Sequence, residues 1–281
     1  MTSTTLHVPS DITLTGEAES ALRATSALAE PGACANCGLA RPGAYCATCG
    51  QRGTHGRLTV PAIVDQVASD VLNMDRGVLF TALELTRRPG DAIRDYVQGK
   101  RVRYTGPVKY FVLTVALTTF ATTQLGMVDE IAEGMLHDAH GPAAFTPAQA
   151  SAFMSQWMTL FMALGVPFTA AVTHRVFRRA GMTYAEHLVL NLYSYGHQCL
   201  GLVAALLLGS AFPGAEGVLV ITWTLAMTAY FAWTCARFFR VSRRRAVPLA
   251  TLSMALGTLA YFAAALIFVV GSTFVARLIG P

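Results

Sequence analysis

The stretch VPLATLSMALGTLAYFAAALIFVV, residues 247–270, decides the fold. It contains no charged side chain, and Arg243, Arg244 and Arg245 stand immediately before it. About 20 apolar residues in helical conformation cross the ~30 Å hydrocarbon core of a bilayer. Four more apolar runs precede it: Val108–Leu125, Trp157–Val176, Leu188–Leu207 and Val218–Cys235, with Lys109 and Arg175 near the ends of the first two. The pattern predicts an all-α membrane protein, with residues 107–281 forming a bundle of about five transmembrane helices.

The charges between these runs predict an orientation. The segment after the first run, MVDEIAEGMLHDAHGPAAFTPAQ, has acids but no Lys or Arg. The second run has Arg175 at its end and Arg178 and Arg179 after it, and the fourth is followed by Arg237, Arg240, Arg243, Arg244 and Arg245. The segment after the third, AFPGAEG, has no basic residue, and the carboxyl-terminal end has only Arg277. Of 21 Lys and Arg residues, 20 therefore fall on one side. Basic residues stay on the cytosolic face. The expectation is a membrane protein with a cytosolic amino terminus and an extracytoplasmic carboxyl terminus, an alternation that requires an odd number of spans. Residues 1–31 lack the apolar core of a signal peptide and read as a disordered tail.

The whole chain is 53% hydrophobic and 13% charged, about half the charge of a soluble domain. Its net charge is +5, and 12 of the 21 basic residues lie at or before Lys109. Basic residues beside membrane helices set orientation and meet anionic lipid. The lipid bilayer is thus the expected partner of this charge, in preference to nucleic acid.

Residues 32–52 carry different chemistry. CANCGLARPGAYCATCGQ places Cys34, Cys37, Cys46 and Cys49 in two CxxC pairs, each followed by glycine. Two thiolates three positions apart reach one metal if the chain turns sharply, and glycine accepts the positive φ of that turn. Two such knuckles supply the four sulfurs of a closed structural zinc site. The predicted cofactor is therefore structural zinc, in a zinc-ribbon-like module. Four protein ligands leave no open position for substrate, so this metal is not expected to be catalytic. Disulfides would need an oxidising compartment. A redox CxxC would sit in a βαβ pattern, which is absent.

Residues 57–106 read as amphipathic juxtamembrane helices, which either lie along the inner membrane face or form a small helical subdomain packed on the bundle. Val60, Ile63, Val64, Val67, Val71 and Leu72 recur at helical spacing after a Thr59 cap. A second piece carries Val78, Leu79, Leu83 and Leu85 and ends at Pro89-Gly90. A third runs from Asp91 to Val97 and ends at Gly99. Then Lys100, Arg101, Arg103 and Lys109, interleaved with Tyr104 and Tyr110, mark a membrane interface.

Polar residues inside spans are costly. His187, Asn191, Ser194 and Gln198 fall on one face of the third span at spacings of four, three and four. They are either a polar path through the bundle or contacts to neighbouring helices, and helix packing is the favoured reading. Thr114, Thr118 and Thr122 form a packing stripe on the first span. His187, His197 and His137 could serve a lipid-directed enzyme as general base, but no partner is positioned for any of them. No phosphate loop, nucleophile elbow or HExxH motif is present.

The run CANCG…YCATCGQ, followed by RRPGDAIRDYVQGKRVRYTGPVKYF, resembles the bacterial membrane family domain of unknown function 3667. The matching residues are Pro89, Gly90, Tyr96, Gly99, Lys100, Arg101, Arg103, Tyr104 and Pro107. The likeness covers about Cys34 to Phe111. It implies a paired-CxxCG head on several membrane spans and brings no reaction with it.

The sequence thus points to a non-enzymatic membrane scaffold or regulator whose zinc module recruits a cytosolic protein. The alternative is a homo-oligomeric transporter or channel subunit using the polar face of the third span.

Overall fold

A computed structural model describes residues 32–41, 43–53, 58–63, 77–137, 146–212, 214 and 216–279. The expected tail at 1–31 and most of the first amphipathic segment, residues 64–76, lie outside them. The chain divides into two compact units, Met1–His55 and Gly56–Pro281.

The smaller unit is built from two similar turns. Strand β1 (Gly32–Ala33) pairs antiparallel with β2 (Ala40–Arg41), with Ala33 opposite Ala40. The second turn repeats this with a bridge between Tyr45 and Arg52. Among its described residues, only Cys34, Arg41, Cys46 and Gln51 are buried. Leu39 and Tyr45 stay largely exposed. Among the described residues of the unit, no buried apolar side chain stands beyond its cysteines.

The larger unit is helical. Two short helices come first, α1 (Gly77–Arg87) and α2 (Pro89–Val97). They are separated at Arg88, where Pro89 opens α2 at a position that needs no N–H donor. The C-terminal end of α2 is closed by Lys100 N–H donating to the Asp95 carbonyl at 2.9 Å. Upstream, the Thr59 hydroxyl accepts from Ala62 N–H at 3.4 Å, where the sequence placed a cap.

Six further helices follow: α3 (Pro107–Gln124), α4 (Met127–His137), α5 (Pro147–Val176), α6 (Tyr184–Ala211), α7 (Glu216–Phe238) and α8 (Arg243–Ile279). Each predicted apolar run lies on one of the five long helices. The boundaries differ for local reasons. Helix α5 starts ten residues earlier than the apolar run, because Thr146 and Gln149 form a reciprocal capping box ahead of Pro147. Thr183 and Glu186 do the same for α6. The acidic segment read as a loop contains α4, which bends 75° from α3.

Helix α6 is central and packs against α1, α2, α3, α5 and α7; α8 lies against α5 and α7. The buried centre is aromatic, with Tyr96, Tyr110, Tyr193, Phe231 and Phe238 almost fully enclosed.

Polarity is inverted relative to a soluble bundle. Outward-facing apolar residues recur at helical spacing: Leu113, Leu117 and Phe120 on α3; Val218, Ile221 and Leu225 on α7; Leu252, Leu256 and Leu259 on α8. Ile221 and Leu225 are 64% and 66% exposed. Meanwhile Thr114, Thr118, Thr173, His187, Asn191, Ser194 and Ser253 are buried. Exposed apolar stripes of this extent mark a lipid or protein contact. Among the described residues, two helices are long and apolar enough to cross a membrane: α6, with mean hydropathy 1.2, and residues 243–263 of α8, with mean hydropathy 1.5. The bent α3–α4 pair makes a third if it forms a single span.

Candidate metal centre and polar clusters

The two CxxC turns of the smaller unit share one hydrogen-bond pattern. Gly38 N–H donates to the Cys34 carbonyl, and Cys34 N–H to the Leu39 carbonyl, each at 2.8 Å. Gly50, Cys46 and Gln51 repeat both bonds at 2.8 Å. The glycines have φ of 77° and 71°, in the left-handed region that any side chain would strain. These turns bring the four cysteine sulfurs together, with Cys34 and Cys46 buried, Cys49 half-buried and Cys37 exposed.

The four sulfurs lie within 4.8 Å of one another and could hold a metal ion. Cys34 and Cys49 Sγ are 3.5 Å apart, and Cys37 and Cys46 Sγ 3.6 Å. A disulfide would bring a pair to about 2.05 Å, and all four cysteines are free. A tetrahedron with metal–sulfur bonds of about 2.3 Å separates its sulfurs by about 3.8 Å. The cluster therefore fits one tetrahedral ion.

Its electrostatics agree. Backbone N–H groups of Cys37 and Asn36 point at the Cys34 sulfur and hold its thiol below the ordinary value. Those of Cys49 and Thr48 bring Cys46 down to about 6. At Cys37 the Leu39 N–H also favours ionisation, but desolvation and the three neighbouring sulfurs outweigh it and push the thiol up to about 12. Four thiolates this close repel one another, and a cation at their centre removes that repulsion.

The basic block of the larger unit is tied into a network. Arg88 bonds the Asp95 carboxylate at 3.0 Å and the Tyr104 hydroxyl at 3.2 Å, and also pairs with Glu84. Lys100 meets Asp95 at 2.8 Å and remains 48% exposed. Desolvation alone would raise the Asp95 carboxyl, but Lys100 and Arg88 hold it below the usual carboxylate range. Burial pushes Tyr104 up to about 12. Arg101 lies 5.5 Å from the centre of the Tyr96 ring, and Arg103 5.4 Å from that of Phe80. Lys109 is half-buried in the first turn of α3.

This block also seats the short helices on the long ones. Arg237 pairs with Asp91 at 2.7 Å, and Arg94 donates to the Phe238 carbonyl at 2.5 Å, at the end of α7. The Tyr193 hydroxyl donates to the Thr105 carbonyl at 2.5 Å. Gly90 lies so close to α7 that a Cβ there would sit 2.4 Å from the Thr234 carbonyl oxygen and 2.6 Å from Phe238 N.

The polar face of α6 is buried along its length. The Thr173 hydroxyl on α5 donates to the Ala170 carbonyl, so it accepts from Asn191 Nδ2 at 3.0 Å and from His187 Nδ1 at 3.2 Å. Asn191 donates its second N–H to the His187 carbonyl at 2.8 Å. Ser194 and Gln198 continue the face inward. On α3 the predicted threonine stripe packs against α6: Thr118 donates to the Cys199 carbonyl at 3.1 Å, and a Cβ at Gly196 would come within 2.9 Å of Thr114.

One hub was not foreseen. His197 Nδ1 meets the Tyr110 hydroxyl at 3.0 Å, its Nε2 meets the Thr86 hydroxyl at 3.2 Å, and its ring stacks on Tyr230 at 5.3 Å. Thr86 gives its own proton to the Ala82 carbonyl, so His197 carries its proton on Nε2 and accepts from Tyr110. One imidazole thus joins α1, α3 and α7 to α6. Nothing local in the sequence marks it, since its partners lie 111 and 87 residues away. The His137 side chain lies outside the described residues.

The fold and its cysteine cluster define a helical protein with helices able to cross a membrane and a head whose four sulfurs could hold a metal ion. Residues 75–119 match the family described as "Protein of unknown function (DUF3667)", in agreement with the resemblance read from the block around Pro89 to Pro107. No curated protein and no solved structure matches the chain.

Proposed function

We propose that this is a five-span protein of the bacterial inner membrane, with structural zinc in a cytosolic head that recruits a cytosolic protein. The observation that carries this reading is the closed four-sulfur cluster. All four ligand positions of a tetrahedral ion are filled by the chain, so the metal organises a surface and takes no substrate. Zinc suits four thiolates at this separation in a reducing compartment. That surface includes Leu39 and Tyr45, 52% and 63% exposed beside the knuckles. Apolar and aromatic residues of this kind anchor protein contacts.

Five spans are supported by five long helices, of which α3, α7 and α8 carry apolar outer stripes, and by the alternation of Arg-rich and Arg-free connections. In this reading the α1–α2 pair lies at the inner membrane face. Leu79 and Leu83, 75% and 53% exposed, meet acyl chains there, while Arg103 and Lys100 meet phosphate. The protein is not an enzyme in this account.

The test is cross-linking and affinity capture from native membranes. The intact chain should retain a cytosolic partner that a chain lacking residues 1–55 loses, while both insert equally. An identical set of captured proteins would end the recruitment reading.

A further inference from the structure

The buried face of α6 carries more hydrogen-bonding capacity than its neighbours use. His187, Asn191 and Ser194 are fully buried, and Gln198 is 8% exposed. Each has one side-chain atom with no hydrogen-bond partner among the described residues: His187 Nε2, Asn191 Oδ1, Ser194 Oγ and Gln198 Nε2. The bonds already described assign their roles. The His187 proton sits on Nδ1 toward Thr173, which leaves Nε2 a bare acceptor. Both Asn191 N–H groups are used, which leaves Oδ1 a bare acceptor. Gln198 Nε2 is a donor, and the Ser194 hydroxyl can do either.

The same four–three spacing continues to Gly201. There the Trp223 indole Nε1 of α7, itself buried without a partner among the described residues, lies 3.8 Å from where a Cβ would stand. Four polar side chains and one indole thus mark a seam from residue 187 to residue 201, about 21 Å at ~1.5 Å per residue.

One unsatisfied group in a core is a local cost. Five in register along one seam are a binding site, because an orphaned buried polar atom loses more than a hydrogen bond gains. The guest must donate to the acceptors near the start of α6 and accept from the N–H groups further along. A cation would be repelled by the Gln198 and Trp223 N–H groups, and an anion by the His187 and Asn191 lone pairs. Water does both, and buried waters typically make about three hydrogen bonds to such groups.

We infer that the His187–Gln198 face of α6 holds a file of water molecules inside the bundle, extending to Trp223. The seam is then neither a dry helix contact nor an ion pathway. Its hydration is independent of the zinc head and of the recruitment reading.

The test uses Ser194→Cys, a near-isosteric change, in the full-length protein in native membranes. A small water-borne methanethiosulfonate is applied, and labelling is read by peptide fragmentation. Cys199 and Cys235 of the same molecule are internal controls: both are buried, Cys199 among Phe111, Val115, Val166 and Leu192. Cys at 194 should react at least tenfold faster than either. Labelling as slow as at Cys199 and Cys235 overturns the water file. If Ser194→Cys fails to insert, Ser194→Ala decides by its thermal midpoint in detergent. A lower midpoint supports a hydrated hydroxyl. An unchanged or higher midpoint overturns it, since removing an orphaned hydroxyl from a dry seam brings relief.

Discussion

Gly90→Ala lowers the thermal midpoint of the detergent-solubilised protein by roughly 10 °C, about 3 kcal/mol for a domain of this size. The added methyl would meet the Thr234 carbonyl oxygen at 2.4 Å, Arg237 Cβ at 2.5 Å and Phe238 N at 2.6 Å. Two of these are backbone atoms of α7, so no rotamer change clears the space, and overpacking typically costs about 1–3 kcal/mol. The whole α2–α7 contact must shift, taking with it the Asp91–Arg237 pair and the Arg94 bond to the Phe238 carbonyl. Gly134→Ala on α4 is the control. Nothing lies within 4 Å of its Cβ position, and alanine favours helix. It should leave the midpoint unchanged or slightly higher. Equal midpoints for the two variants would mean that α2 does not sit on α7.

The second large effect is on the head. Purified wild type should carry about one zinc per chain, and Cys34→Ser/Cys46→Ser should carry none. Both substituted residues are buried sulfurs of the cluster, and the only other buried residues described in the head are Arg41 and Gln51. Strands of two residues and four buried side chains cannot hold a fold by apolar burial, so the metal must supply the folding energy. Without it, residues 32–53 should become fully protease-sensitive. The helical unit has its own core and should keep its thermal midpoint. A head that stays protected without metal would refute a metal-folded module.

The head and the helix breaks were legible because their signals are local. Gly38 and Gly50 follow their cysteine pairs because the turn needs positive φ within those few residues. Pro89 and Gly99 punctuate α2 for similarly short-range reasons. The apolar runs located the five long helices, close to their starts at α3 and α7 but ten residues late at α5. Helix α5 begins under a capping box in a segment whose composition reads as loop, and α4 lies in an acidic stretch with a weak apolar pattern.

The networks were not legible. A count of basic residues puts Lys100 and Arg103 at an interface, but cannot show that Lys100 shares Asp95 with Arg88, or that Arg103 lies over Phe80. In the sequence His197 stood out only as one of three histidines that could serve as a general base. Its roles as a link between Thr86 and Tyr110 and as a ring stacked on Tyr230 depend on three other helices meeting at one point. For His187 and Asn191 the period gave the shared face, but not the Thr173 hydroxyl that accepts from both.

The central claim is a bundle that crosses the membrane an odd number of times and presents the cysteine head to the cytosol. The most direct measurement is a pair of full-length fusions, with a fluorescent protein or alkaline phosphatase placed in turn at each end. The account predicts fluorescence without phosphatase activity at the amino terminus, and phosphatase activity without fluorescence after Pro281. Both ends reporting the same side would contradict it, and would require that one of the five long helices does not cross.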